Sequence, residues 1–407
     1  MEWAGEKLFS TSGRDAKYIY GAAFMQAFGT QQWWVALPFI IKHFGGTDAQ
    51  VGLGLAANMG AYAISVLLAG PVLERLNPRS TALWGTRAMI MVMAGMGAIV
   101  LLERLGYTLL NPIGLLVLTT GLFGIFSAGF WPPVMGWLAL GFEGGKLSRR
   151  LSRFSLWWCL GALVSPYPAG LLVEIDFIWP MGAALVFLLF CYLSVGRADN
   201  PRNVNEGEGH QDDQSDFRAA LTAEDIRFRW MARIALFAAT ACGGIVRTQL
   251  ALLMKLNLYF SESTFGSFIT FMTLASLIVY VLAGRTPSWH YRVGIFWGSQ
   301  LLLLASMVLI LLTGHRGWLF LAAVMQGLGG AFCYISHLYY GAAGGQRRFA
   351  RMAVHEFTLS VGFVTGSLLG GYLSDQFGRY APYWFAGAVV ALALMIEAIL
   401  WFIRPKK

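Results

Sequence analysis

The chain has 407 residues, 57% of them hydrophobic and 13% charged, and its 30 Lys and Arg against 21 Asp and Glu give a net charge of +9. One soluble core cannot hide that much apolar surface, so a globular soluble fold is excluded. The basic residues are dispersed among short loops and never grouped on a polar domain, which excludes nucleic-acid binding as well.

Twelve apolar stretches, each near the ~20 residues a helix needs to cross a bilayer, are expected at about 17–42, 49–73, 80–102, 111–141, 154–174, 177–196, 229–258, 263–284, 291–312, 317–341, 353–374 and 382–403. The polar residues before the first, among them Glu2, Glu6, Lys7, Arg14 and Asp15, precede a stretch too long for a signal-peptide core, so that span is expected to remain in the protein. With both termini on the cytoplasmic side, 24 of the 30 basic residues fall in cytoplasmic ends and loops. Five lie outside (Lys42, Arg104, Lys255, Arg316, Arg379), and Arg247 lies within a span. The inverse orientation breaks the positive-inside rule, so both ends are expected in the cytoplasm of a cell (inner) membrane protein.

In chain order, the first span carries Gln31, Gln32, Trp33 and Trp34 at depth. The loop after the second reads Gly70-Pro71-Val72-Leu73-Glu74-Arg75-Leu76-Asn77-Pro78-Arg79, an ordinary positive loop or a charged latch. Trp131, Pro132 and Pro133 in the fourth either line a cavity or simply pack. The fifth holds Gly161, Ser165, Pro166, Pro168, Ala169 and Gly170, a small-residue face for close packing with prolines that invite a bend. Residues 197–228 carry eight acids and few large apolar residues, a solvated linker or a regulatory segment, and Thr222 with Glu224 and Asp225 reads as a helix start. The linker defines three parts: six spans in 1–196, a cytoplasmic loop at 197–228, and six spans in 229–407.

In the seventh span Arg247 lies ~21 Å up the helix from Arg233, too deep to be tolerated without a partner or a cavity. Gln249 follows two residues on. Gln326 and Tyr334 in the tenth span line a cavity or simply pack. His337, His355 and Glu356 flank Gly344-Gly345-Gln346-Arg347-Arg348, where they serve as an inner gate or exchange protons. Glu397 in the last span reads as an inward-snorkelling or partnered carboxylate rather than a proton site. Cys159, Cys191, Cys242 and Cys333 all lie in apolar spans and read as small buried hydrophobes. No metal-ligand cluster, phosphate loop or nucleophile elbow is present, so neither enzyme activity nor a cofactor is expected.

The halves repeat. Residues 161–174 align with 362–375 at an offset of 201, which matches Gly161 to Gly362, Gly170 to Gly371 and Glu174 to Asp375. Lys17 matches Arg233 and Gln31 matches Arg247 at 216, and Leu-Ala-Gly recurs at 68–70 and 282–284 at 214. Two parallel six-helix units around a midline pathway are the reading.

With these features the whole chain resembles the major facilitator superfamily. The loop at 70–79 is similar to the family's Gly-x-Leu-Ala-Asp-Arg-x-Gly-Arg loop, with Glu74, Arg75 and Arg79 in its charge order but Asn77 and Pro78 departing from it. The fifth span resembles the family's Gly-x-x-x-Gly-Pro-x-x-Gly-Gly pattern at Gly161, Pro166 and Gly170. The resemblance implies an all-α polytopic fold of two pseudo-symmetric bundles, a cytoplasmic latch at Glu74 and Arg75, and first and seventh helices on a central cavity.

The expected function is secondary active transport of a small, anionic or amphipathic organic solute by alternating access. Arg247, Gln249, Gln31, Trp33, Trp131, Gln326 and Tyr334 are the expected solute contacts, and Glu74, Arg75, Arg79, Pro166, His355 and Glu356 the gate and latch. Arg247 reads as an anion ligand or as half of a structural ion pair. The alternative is a scaffold of this fold that has lost transport and serves a protein partner as an assembly factor or subunit.

Overall fold

The computed structural model describes residues 9–10, 13–73, 75–107, 110–140, 144–200, 202–203, 223–342 and 348–402. In chain order the helices are α1 (Gly13–His43), α2 (Asp48–Leu73), α3 (Pro78–Arg104), α4 (Pro112–Ser127), α5 (Trp131–Ala139), α6 (Gly144–Val164), α7 (Pro166–Ile175), α8 (Ile178–Arg197), α9 (Ala223–Ile245), α10 (Glu262–Arg285), α11 (Val293–Leu312), α12 (Arg316–Ala342), α13 (Arg348–Phe377) and α14 (Ala381–Phe402). They make twelve crossings. The fourth is α4 with α5, the fifth is α6 with α7, and the seventh is α9 continued through two π-helical turns, Val246–Leu250 and Leu253–Asn257. Eleven crossings among the described residues are long and apolar enough to span a membrane, and α1, diluted by Gln26, Gln31 and Gln32, completes the set.

Local chemistry sets several helix starts. Asn77 accepts from the Ser80 amide with Pro78 in the first turn of α3, Asn111 does the same for Gly114 ahead of α4, and Ser261 caps α10 through Thr264. Gly106, at φ 81°, ends the turn after α3 in the left-handed region that disfavours other residues. The acids Glu224 and Asp225 occupy the first turn of α9 as expected. Thr222 and most of the acidic linker, 204–222, lie outside the described residues. An antiparallel backbone pairing joins Phe9–Ser10 to Arg202–Asn203.

Two bundles result. In the first, α1 packs on α8 and α6, and α2 on α4; in the second, α9 packs on α13, α12 and α14, and α10 and α11 pack on α12. Large apolar side chains such as Leu68, Met91, Phe190 and Leu392 stay exposed on the outside, where lipid replaces water. With no hydrophobic force between helices in lipid, association depends on close approach at small residues.

Glycine positions make that approach, and they follow the repeat. Gly161 of α6 leaves no room for a Cβ against the Phe24 carbonyl of α1, and Gly362 of α13 stands likewise against Thr240 of α9. Between the bundles, Gly266 of α10 abuts the Pro166 carbonyl of α7, while Gly52 of α2 abuts the Ser367 carbonyl of α13. These contacts pair residues at the spacings 201, 214 and 216 found in the sequence. The bend in the fifth crossing falls at Ser165, where Pro166 interrupts the backbone ladder. There Gln32 donates to the Ser165 hydroxyl (2.8 Å), which itself donates to the Phe28 carbonyl (2.7 Å).

Candidate functional site: a midline cavity with one deep arginine

Between the bundles lies a cavity of about 370 Å³. It is walled by Gln26, Gln31 and Trp34 of α1, Trp131 of α5, Trp158 of α6, and Gln326 and Tyr334 of α12, with α2, α4, α9, α10 and α13 completing the wall. Its size and largely apolar, aromatic lining suit a small organic molecule. From Arg247 it extends toward the face where α1 begins and α14 ends, the terminal face, as far as Met135, Phe154 and Glu356.

Arg247 caps the deep end. Its Nη1 donates to Gln31 Oε1 at 3.1 Å, and its guanidinium lies 5.2 Å from the centre of the Trp34 ring. The repeat-equivalent residues Gln31 and Arg247 therefore meet on the midline, because they sit at matching heights on the two helices that flank the pseudo-twofold axis. The arginine stands in the first π-helical turn of the seventh crossing. An i→i+5 turn carries an extra residue and re-aims the side chains beyond it, and such turns concentrate at functional sites. A guanidinium held by one neutral amide and one ring keeps donors for an anion.

The far face is shut by two matched acid caps. Asp375, just inside the end of α13, accepts from the backbone amides of Asp48 and Ala49 at the start of α2 (2.9 Å each). Glu174, near the end of α7, accepts from the Ser263 amide at the start of α10 (2.8 Å). Each carboxylate satisfies orphan donors at a helix N-terminus of the opposite bundle and meets the positive end of its dipole. Asp48 adds a second layer, receiving Lys42 (2.8 Å), the Ser374 hydroxyl (2.6 Å) and Arg379 (3.2 Å). Its counterpart Glu262 pairs with Lys255 at 3.0 Å. Four of the five basic residues assigned to the outer loops thus have acidic partners, Arg104 pairing with Asp176 at 3.2 Å.

Of the expected solute contacts, Arg247, Gln31, Trp131, Gln326 and Tyr334 come together on the cavity wall. Two do not. Gln249 is buried beyond Arg247 and donates to the Asp48 carbonyl (3.3 Å), joining the far-face closure, because residues two apart on a helix point to nearly opposite sides. Trp33 is fully buried against Phe123 inside the first bundle, and its neighbour Trp34 faces the cavity in its place. Glu74 lies outside the described residues and Arg75 is exposed. Arg79 donates to the Gly196 and Ala198 carbonyls (2.7 and 2.6 Å), so it caps the end of α8 within its own bundle. Pro166 sits at the bundle interface against Gly266. His355 is buried with His337, the two Nδ1 atoms 2.7 Å apart, whereas the adjacent Glu356 faces the cavity and shares its wall with Tyr62. Glu397 has the partner expected of it, Gln300 at 2.6 Å.

Sequence reasoning passed over Gln26, Tyr62 and Tyr280, since a tyrosine or glutamine in an apolar helix reads as packing until its direction is known. The two acid caps were legible only as the matched ends of the repeat.

A polytopic helical fold with a midline cavity between two bundles defines a membrane carrier. The sequence model of the Major Facilitator Superfamily matches residues 19–340 and 233–407, and the chain belongs to that family. No curated protein sequence matches it. Among solved structures it is similar to a POT family transporter in complex with 5-aminolevulinic acid (TM-score 0.73, 16% identity, 95% of this chain and 96% of that one). It is also similar to a nucleoside transporter (0.68, 10%, 95% and 100%) and to a human organic anion transporter (0.57, 13%, 94% and 99%). At these identities the likeness is one of fold.

Proposed function

We propose that the protein is a secondary transporter that moves a small, anionic or amphipathic organic solute by alternating access, with Arg247 as its principal ligand. The carrying observation is the guanidinium at the deep end of the cavity, bonded to Gln31 and stacked on Trp34. Retaining a buried charge costs several kcal/mol in a membrane, and a cavity that delivers an anion offsets it. The far-face closure and the cavity reaching toward the terminal face describe one of the two states an alternating carrier needs. Loop charges support a cell (inner) membrane location with the termini cytoplasmic, which makes this the inward-open state. An intact cavity and matched gate contacts favour transport over a partner-binding scaffold.

The test is a substitution series at Arg247 with binding and fold measured separately. Arg247→Lys swaps a planar fork for a point charge and is expected to weaken solute binding, and Arg247→Gln to weaken it further. Loss of a charge-assisted contact is worth roughly 1.5–3 kcal/mol, or about ten- to a hundredfold in affinity. If Arg247→Gln instead collapses thermal stability while surviving protein binds normally, the residue is structural and the anion site is wrong.

A further inference from the structure

The cavity wall holds one acid besides its deep arginine. Among its described residues Arg247 and Glu356 are the charged ones. Glu356 lies on α13 and shares the cavity wall with Tyr62 of α2, across the bundle interface. Tyr334 of α12 is within electrostatic reach of the same carboxylate, and its ring centre is 5.8 Å from that of Tyr280 on α10. All three tyrosines line the cavity with Glu356. Among the described residues of the wall there is no lysine and Arg247 is the one arginine, so the tyrosines leave the carboxylate's charge uncancelled.

Height separates this cluster from Arg247. Gly370 of α13 packs beside Ile245 and Gln249, level with Arg247, and Glu356 lies fourteen residues nearer the terminal face. That is roughly 21 Å of helix rise. The deep end of the cavity therefore offers donors to an anion, and the shallow end offers a carboxylate among tyrosine rings. A carboxylate with aromatic faces around it is the chemistry that recognises an organic ammonium, through one charge-assisted bond and ring–cation attraction.

We propose that Glu356, Tyr62, Tyr280 and Tyr334 form a subsite for an ammonium group, so that the cargo is a dipolar organic solute with a basic amine at one end and an anionic group at the other. The inference rests on the anion reading of Arg247 and names the cargo class for the same cavity. Glu356 and its tyrosines come from four helices of both bundles, so an amine held there touches both halves of the carrier.

The experiment titrates the purified full-length protein in lipid nanodiscs with ω-amino carboxylates from 6-aminohexanoate to 11-aminoundecanoate, each beside the plain carboxylate of equal length. The wild type is expected to bind the best amino carboxylate about tenfold tighter than its plain partner, the worth of one charge-assisted contact. Glu356→Gln removes that preference and leaves the plain carboxylate's affinity unchanged. Tyr62→Phe keeps the ring, loses the hydroxyl and lowers the preference in part, which serves if Glu356→Gln does not fold. Arg247→Gln weakens both members of every pair. Equal affinities within pairs in the wild type, both lowered by Arg247→Gln, overturn the ammonium subsite and leave the anion site standing. Plain carboxylates that bind no more weakly to Arg247→Gln overturn the anion site itself, and the dipolar cargo with it.

Discussion

Cutting the two acid caps at the far face should tip the carrier toward the state open on that side. Asp375 holds two backbone amides of α2 and Glu174 one of α10, and all three bonds cross between bundles. Both carboxylates are solvent-exposed, which keeps each cap in the ordinary range for removal of an N-terminal capping group, about 1 kcal/mol. Asp375→Ala and Glu174→Ala together should then cost the closed arrangement about 2 kcal/mol, a factor of roughly 30 in the ratio of the two states. Neither side chain supports a bundle core, so the melting temperature should hardly move. Spin labels at exposed positions 107 and 315, one on each bundle near the far face, report the change, and the four native cysteines are buried enough to stay unlabelled. The double variant should gain a longer-distance population, with each single variant intermediate. Unchanged distances in a stably folded double variant would show that the caps do not hold the gate, and the dipole argument would fall.

The same labelled pair should lengthen in Gly52→Ala, because a Cβ there runs into the Ser367 backbone, and stay unchanged in Gly60→Ala, where the nearest atom is a Val364 methyl at 3.5 Å. Glu397→Gln should melt close to the wild type, since an amide still pairs with Gln300. Glu397→Leu strands the fully buried Gln300 amide and should cost about 1–3 kcal/mol, read as a lower melting temperature. A cysteine at position 208 should resist an impermeant reagent added outside intact cells and react after lysis; labelling from outside would reverse the proposed topology.

The sequence by itself determined the crossings, the family and the repeat, because each rests on local composition. Twenty apolar residues force a helix across a bilayer whatever surrounds them, and the order of small residues and end acids records the duplication directly. The offsets 201, 214 and 216 were readable before any contact was known. The tertiary structure alone decided direction. Whether Trp33 or Trp34 faces the cavity depends on a rotation of about 100° per residue that nearly uniform apolar helices leave unmarked. Gln249, two residues on from Arg247, points to the opposite side and joins the gate. Pairings across bundles, such as Arg247 with Gln31 and Asp375 with the start of α2, join residues hundreds of positions apart, and only the packing of the two halves brings them together.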